Sequence, residues 1–353
     1  MKRNDYLYLD HAATTPMRES ALEAFKNAEE FAYANSAGGH ELSRRAKNLL
    51  EESRDFIASY FGAAPSEITF TSGGTEADNW VIKAPFMNSK NSQNLVTSKI
   101  EHEAVLASAE WLETQGQEVN YASCNKDGQV DINEFLDKCN NDTAIASLMY
   151  ANNETGVVQQ IKKIAKEIKI KNPETLFHSD VVQAVSSEKL DFHKLGIDSA
   201  AVSGHKIGGP KGIGIMFLSS KYKLPNYFHG GKQELEKRAG TVNVSGVAGL
   251  AAALKEHQDN FDNENFKFGS AKFISIEDIK IWTQRLSYVG ELGYELYVEP
   301  NDAKKIYELI IEKGKNYNLS NCGMHAMDIM RMESGFLHWG HDISPEENQY
   351  QAG

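Results

Sequence analysis

Between about residues 65 and 220 the chain alternates short apolar, β-branched runs with longer stretches whose apolar positions recur at helical spacing. Ile68–Thr71, Leu95–Thr97, Ala144–Tyr150, Leu176–His178, Ala200–Val202 and Ile213–Phe217 read as strands. The stretches Glu76–Ala84, Glu103–Glu113 and Ile161–Ile170 between them read as amphipathic helices. Ahead of this block, 41–60 carries Leu42, Ala46, Leu49, Leu50, Phe56, Ile57 and Tyr60, a helical stripe closed by Gly62. Strands and helices in alternation predict an α/β fold: a mostly parallel sheet with helices on both faces.

The texture changes near residue 257, where HQDNFDNENFKFGS is polar and rich in Asn and Asp, the mark of a junction. Beyond it, Arg285–Val298 reads as two strands around a glycine-containing turn, and Asn301–Lys313 and His325–Glu333 as helices. The expected organisation is a large domain over 1–256, a junction over 257–265 and a smaller α+β fragment over 266–353.

With 353 residues, 41% of them apolar, the chain suits two packed domains. The formal net charge is −12 and no basic block occurs, which argues against a nucleic-acid or anionic-membrane surface. Cys124, Cys139 and Cys322 are widely separated, and no pair has metal-ligand or redox spacing, so no metal is expected. The N-terminus lacks the apolar core of a signal peptide, and no apolar run is long enough to span a bilayer. A cytoplasmic protein is expected.

Four clusters then point to one chemistry. Ser203-Gly204-His205-Lys206 ends a strand and leads into Gly208-Gly209-Pro210. A lysine there can form a Schiff base with a cofactor aldehyde if burial keeps it partly neutral. Thr71-Ser72-Gly73-Gly74-Thr75-Glu76 joins a strand to a helix; its glycines admit an anion to the helix N-terminus, and Thr75 adds a hydroxyl. In His178-Ser179-Asp180-Val181-Val182-Gln183, Asp180 can keep a pyridine nitrogen protonated, while Gln183 reaches a phenolic oxygen. After two further strands come Glu101-His102-Glu103 and Asn152-Asn153-Glu154, where His102 can stack on a ring and Asn153 can donate to cofactor or substrate. Read singly, each has a plainer meaning: a surface lysine, a glycine turn, an N-cap aspartate, capping His and Asn residues. All four lie at carboxyl ends of expected strands, where open α/β sheets bind ligands, and their parts are complementary.

With these clusters the chain resembles the cysteine desulfurases, of the class V aminotransferase group within the fold-type I pyridoxal-phosphate enzymes. The stretches are YLDHAATTP (8–16), ITFTSGGTEADN (68–79), SKIEHEAVL (98–106), MYANNETGVVQ (149–159), HSDVVQ (178–183), SGHKIGGPKGIG (203–214) and HGGKQELEKRAGTVNV (229–244). The resemblance implies pyridoxal 5′-phosphate as cofactor, Lys206 as its Schiff-base lysine and His102 as the second catalytic residue, on the ring face. It puts Asp180 at the pyridine nitrogen, Gln183 at the phenolic oxygen, and Gly74, Thr75, Ser203 and His205 around the phosphate. Asn153 falls on the substrate side. Thr241 matches a residue that reaches the phosphate of a neighbouring subunit, which implies a homodimer. The implied reaction takes L-cysteine to L-alanine with sulfur transfer, through an enzyme persulfide, to an acceptor protein. Iron–sulfur cluster assembly is that family's usual setting.

After about residue 260 the resemblance changes. FKFGSAKFISIEDIKI, RLSYVGELGYELYVEP and GMHAMDIMRMESGFLHWGHDISPEE are similar to the folate-binding region of aminomethyltransferases, as it occurs in dimethylglycine and sarcosine dehydrogenases. That pattern puts Glu291 and Arg331 at pterin- and glutamate-facing positions. The desulfurase small domain, with its nucleophilic cysteine and its substrate-carboxylate arginine, is replaced. Cys322 follows Lys206 at a similar distance, but its neighbourhood LSNCGMHAM matches the aminomethyltransferase-like pattern. Arg238 is the large-domain arginine available for a carboxylate. The expectation is a desulfurase-like enzyme with impaired turnover; the alternatives are a non-catalytic pyridoxal-phosphate-binding dimer and a folate-dependent aminomethyltransferase-like fragment.

Overall fold

The structure, a computed structural model, describes residues 10–87, 93–260, 271–276, 279–285, 293–317, 319–323 and 330. The chain forms two compact units, Met1–Asn260 and Phe261–Gly353.

In the first unit, β1 (Ile68–Thr71), β2 (Asn94–Ser98), β3 (Glu118–Ala122), β4 (Thr143–Ser147), β5 (Leu176–Asp180), β6 (Ser199–Ser203) and β7 (Gly214–Leu218) make one sheet, ordered β1-β7-β6-β5-β4-β2-β3. From β6 to β3 all neighbours are parallel, whereas β7 runs antiparallel to both β1 and β6. Successive strand residues feed opposite cores. Leu95, Ile145, Leu176, Ala201 and Met216 pack with α3 (Gly74–Met87) and α4 (Glu103–Thr114) through Trp80, Val81, Val105 and Leu112. One residue along, Val96, Ala146, Phe177, Ala200 and Phe217 face the other core. There they meet Leu50 and Ile57 of α2 (Glu41–Tyr60), Ile164 of α6 (Ile161–Lys171), Phe192 of α7 (Phe192–Leu195) and Leu250 of α8 (Val244–Asn260). Both faces of a parallel sheet are covered, so its strands read as continuous apolar runs.

Three elements escape the apolar pattern. Helix α1 (Glu19–Phe31) buries little beyond Ala21 and Ala28, and α5 (Ile132–Lys138) buries Phe135. Strand β3 lies at the sheet edge, where Glu118 is exposed. The expected strand over 144–150 ends at Ser147; Leu148 and Tyr150 leave regular structure but still donate backbone N–H groups to His178 and Asp180. The expected junction at 257 is still helix, because α8 continues to Asn260. His257 is buried and holds that turn, its Nδ1 2.8 Å from the Tyr60 hydroxyl and its Nε2 3.0 Å from the Ser186 carbonyl.

The second unit contains β8 (Ala271–Ile276), β9 (Ile279–Gln284) and β10 (Glu295–Tyr297), antiparallel in the order β10-β9-β8, followed by α9 (Pro300–Gly314). Of the two strands expected over Arg285–Val298, the second half holds β10, while 286–292 lie outside the described residues. In β9 burial alternates with period two, Ile281, Thr283 and then Arg285 being buried, and Ile281 pairs with Ile274. Of the expected helix His325–Glu333 only Met330 is described, as helix, and Glu291 and Arg331 lie outside the described residues.

Candidate active site

The site grows from the carboxyl ends of β1, β5 and β6, with β7 supporting the first. After β1 the chain turns at Ser72 and Gly73 and enters α3 at Gly74. The N–H groups of Gly74, Thr75 and Glu76 occupy the first helical turn and have no carbonyl four residues back to bond. The turn sits low because Gly214 lies beneath it: a Cβ there would fall 2.5 Å from Gly73 Cα. Gly74 is buried, and a Cβ on it would come 2.8 Å from Val182. On the facing side, Ser203 is buried at the end of β6, and its hydroxyl has no hydrogen-bond partner among the described residues. The Thr75 hydroxyl is exposed. These are the features of an anion cradle.

At the end of β5, Asp180 is buried and its Oδ1 accepts the Val182 N–H at 2.9 Å. Its Oδ2 has no partner among the described residues. Burial, then the nearby Asp78 carboxyl, raise the Asp180 pKa, against the pull of His178 and His102. Gln183, on the following turn, donates its amide to the Ala12 carbonyl at 3.2 Å.

Lys206 follows β6 in a single 3-10 turn, Gly204–Lys206. Its Nζ donates to the same Ala12 carbonyl. Burial lowers its pKa, partly offset by Asp180 and Asp10, so a larger share is the neutral amine that attacks an aldehyde. The N-terminal segment braces this loop throughout. Thr15 donates its N–H to the His205 carbonyl at 2.9 Å and accepts the Gly208 N–H on its hydroxyl at 2.7 Å. Arg18 donates Nε to the Ile207 carbonyl at 3.1 Å and its N–H to the Gly208 carbonyl at 2.8 Å. Gly208 has φ +78°, a left-handed turn that suits glycine. His205 turns Nδ1 to Thr14 Oγ1 at 2.9 Å, and burial lowers its pKa.

His102 caps α4, its Nδ1 accepting the Ala104 N–H at 3.1 Å, and its ring is near enough to Asp180 to act on it. Capping and proximity thus coexist. Asn153 makes no hydrogen bond with the described residues; the turn is organised by Asn152, which donates to the Ile100 carbonyl and accepts from Glu154 and Thr155. Thr241 is exposed in the loop before α8. Arg238 is not free for a substrate carboxylate, since Glu76 takes its Nε at 2.7 Å and its Nη2 at 3.0 Å. Cys124 and Cys322 are exposed thiols, while Cys139 is buried, and burial pushes it up to about 12. Sequence reasoning missed the Ala12 carbonyl, Thr15 and Arg18, whose roles depend on backbone groups. It also missed the buried Asp78 and His178, whose only signal is proximity in sequence to Gly74 and Asp180.

A sheet of this order, with this cradle, aspartate and lysine at its carboxyl edge, is the large domain of a fold-type I pyridoxal-phosphate enzyme. Residues 7–271 match the aminotransferase class-V family, and the chain belongs to it. It is 39% identical over 275 residues to the putative cysteine desulfurase IscS 1 of Bacillus subtilis, an alignment covering 78% of this chain and 72% of that protein. To cysteine desulfurase IscS of Methanosarcina thermophila it is 41% identical over 253 residues, covering 71% of this chain and only 62% of that protein. A solved NifS-like protein superposes with TM-score 0.71 at 29% identity, covering 92% of this chain and 89% of that one. A structure described as SspA in complex with cysteine gives 0.68 at 27%, covering 94% and 95%. Residues 223–353 match the GCVT N-terminal domain, so the C-terminal region is aminomethyltransferase-like, and the two family matches overlap over 223–271. The class V aminotransferases and cysteine desulfurases are pyridoxal-phosphate-dependent. The residues here fit that cofactor: a helix-terminal cradle beside a hydroxyl and an aspartate oxygen that have no partner among the described residues, and a lysine of lowered pKa. No helix among the described residues is long and apolar enough to cross a membrane.

Proposed function

We propose that this chain binds pyridoxal 5′-phosphate and acts on L-cysteine as a cysteine desulfurase-like enzyme, releasing L-alanine. The observation that carries the reading is the convergence of the Gly74 cradle, Asp180 and Lys206 at the carboxyl ends of β1, β5 and β6, on one edge of the sheet. When bound, the cofactor supplies an electron sink for the amino acid's α-carbon. Lys206 anchors it covalently and later moves a proton at that carbon. Asp180 holds a proton on the ring nitrogen, Gln183 bonds the phenolic oxygen, and His102 covers one ring face. Gly74, Thr75, Ser203 and His205 hold the phosphate, with Thr241 contributed to a second subunit's site in a homodimer. Asn153 orients the substrate side. A cytoplasmic setting and a sulfur-acceptor protein complete the reading.

A second reading, that the chain holds the cofactor without turning substrate over, is favoured by the GCVT match across the region where the desulfurase relatives continue. One experiment separates them: alanine release from L-cysteine by the purified protein with pyridoxal phosphate and a thiol reductant. Activity lost in Lys206→Ala supports the enzyme. A visible cofactor band without alanine supports the binding protein. Loss in Cys322→Ala as well would make that thiol the sulfur acceptor. Direct folate titration tests the remaining aminomethyltransferase-like reading of the C-terminal unit.

A further inference from the structure

Behind Asp180 lies a set of ionisable side chains that the proposed reaction does not use. Asp78 is in the second turn of α3, and its Oδ1 is 3.0 Å from His178 Nε2; both residues are at most 1% exposed. His178 precedes Asp180 by two residues on β5, so both side chains leave the strand on one face. His178 Nδ1 is buried beside the Ser199 backbone, without a well-aligned hydrogen bond among the described residues. Glu101, after β2, accepts Ser98 Oγ at 3.0 Å and the Met149 N–H at 2.9 Å on Oε1, while its buried Oε2 has no partner there.

The groups acting on this set are Asp78, Glu101, Asp180 and His178 themselves, with His102 and Lys206 acting on Asp180. Three buried carboxyls so close cannot all ionise, because each charge repels the others where water cannot screen them. Charging Asp78 and His178 together would desolvate two ions for one hydrogen bond. An ionised Glu101 would leave a charged oxygen unpaired.

We propose that Asp78 and His178 are a neutral, hydrogen-bonded pair which, with a protonated Glu101, confines negative charge in this pocket to Asp180. This deepens the reading above and rests on it for the role of Asp180 at the ring nitrogen. Asp78, His178 and Glu101 are positioning residues: a second ionised carboxyl would drive the proton onto Asp180 and deprive the ring nitrogen of its anion. Burial acts in the same sense on these three, raising Asp78 and Glu101 to about 8 and lowering His178 to about 4, and raises Asp180 less, to about 7, so that Asp180 is the first of the three carboxyls to ionise.

The test begins on the apoprotein. Nitrogen-15 NMR at pH 7 should show His178, assigned by its loss in His178→Gln, as neutral imidazole. Infrared difference spectra should show protonated-carboxyl bands that disappear in Asp78→Asn and in Glu101→Gln. In the holoprotein, the pH midpoint of the bound cofactor's visible band should be unchanged by Asp78→Asn, a neutral amide replacing a neutral acid. An imidazolium at His178, absent carboxyl bands, or a midpoint lowered by about one unit or more would overturn the proposal, since removing a nearby negative charge produces such a shift. Should Asp78→Asn fail to fold, the spectra of the unmodified protein decide the charge states. Absence of any visible band with added pyridoxal phosphate would instead count against the cofactor reading, and the apoprotein spectra would still test the pair.

Discussion

Glu76 grips Arg238 with both carboxylate oxygens, at 2.7 and 3.0 Å, while its Oε2 also accepts the Ser72 N–H at 2.8 Å. The first turn of α3, which forms the anion cradle, is thereby tied to the loop before α8. Burial works to raise the Glu76 pKa, but the Arg238 and Ser72 hydrogen bonds prevail and hold it below the usual carboxylate range. Its contribution to stability is therefore present at neutral pH and is lost as pH falls through the depressed value. Arg238→Met should cost about 2 kcal/mol in urea melts at pH 7, with a smaller cost near pH 3.

A second prediction concerns Arg54 and Glu234, both buried, joined at 2.9 and 2.8 Å, with Glu234 also accepting the Phe70 N–H. This pair holds a turn in which Glu234, Leu235 and Glu236 all have left-handed φ, between 49° and 66°. Glu234→Ala removes the buried carboxylate and leaves the Arg54 guanidinium with only Glu51 and the Ile68 carbonyl, and should destabilise by about 3 kcal/mol. Leu235 is 53% exposed, so Leu235→Gly loses little packing and relieves the backbone, stabilising by roughly 1 kcal/mol. Equilibrium denaturation of the two variants checks both signs.

Gly208→Ala should disturb Lys206 without touching it. A Cβ at this left-handed position would fall 2.5 Å from Arg18 Cγ, so either the loop or the Arg18 brace must shift. Weakening of pyridoxal-phosphate affinity by about tenfold corresponds to about 1.4 kcal/mol of displaced loop. Equal affinity in the variant and the original protein, by titration of the visible band, would show that the brace does not position the lysine.

The dependence of stability on pH has two opposing parts. Burial lowers the His257 pKa, so the unfolded chain gains its proton first and stability falls as pH drops below about 6.5. His257→Gln should flatten that acid limb. Asp78 and Glu101 are raised, so the folded state holds protons that the unfolded chain releases, and stability declines as pH rises from about 4 toward 8. Asp78→Asn should flatten the alkaline limb. Thermal melts across pH 5 to 8 would separate the two.

The main elements and most of the site were legible because parallel strands buried on both faces are runs of apolar residues, each followed by a polar cluster where the sheet ends. Thus β5 and the Asp180 cluster, or β6 and Lys206, are local in sequence, and the covering helix 41–60 shows in its own stripe. The two unlike halves were legible too, since each carries its own ordered motifs. What needed the tertiary structure was every relationship set by strand order or by a backbone group. The β1-β7-β6-β5 arrangement brings Gly214 under Gly73 and Ser203 beside the cradle, although they are far apart in the chain. Ala12 presents a carbonyl, which any residue possesses, so no side-chain pattern could announce its bonds to Lys206 and Gln183. Arg238 looked free in the sequence, and only folding put Glu76 in its path. Asp78 and His178 became a pair because α3 covers β5, burying both where neither can reach water.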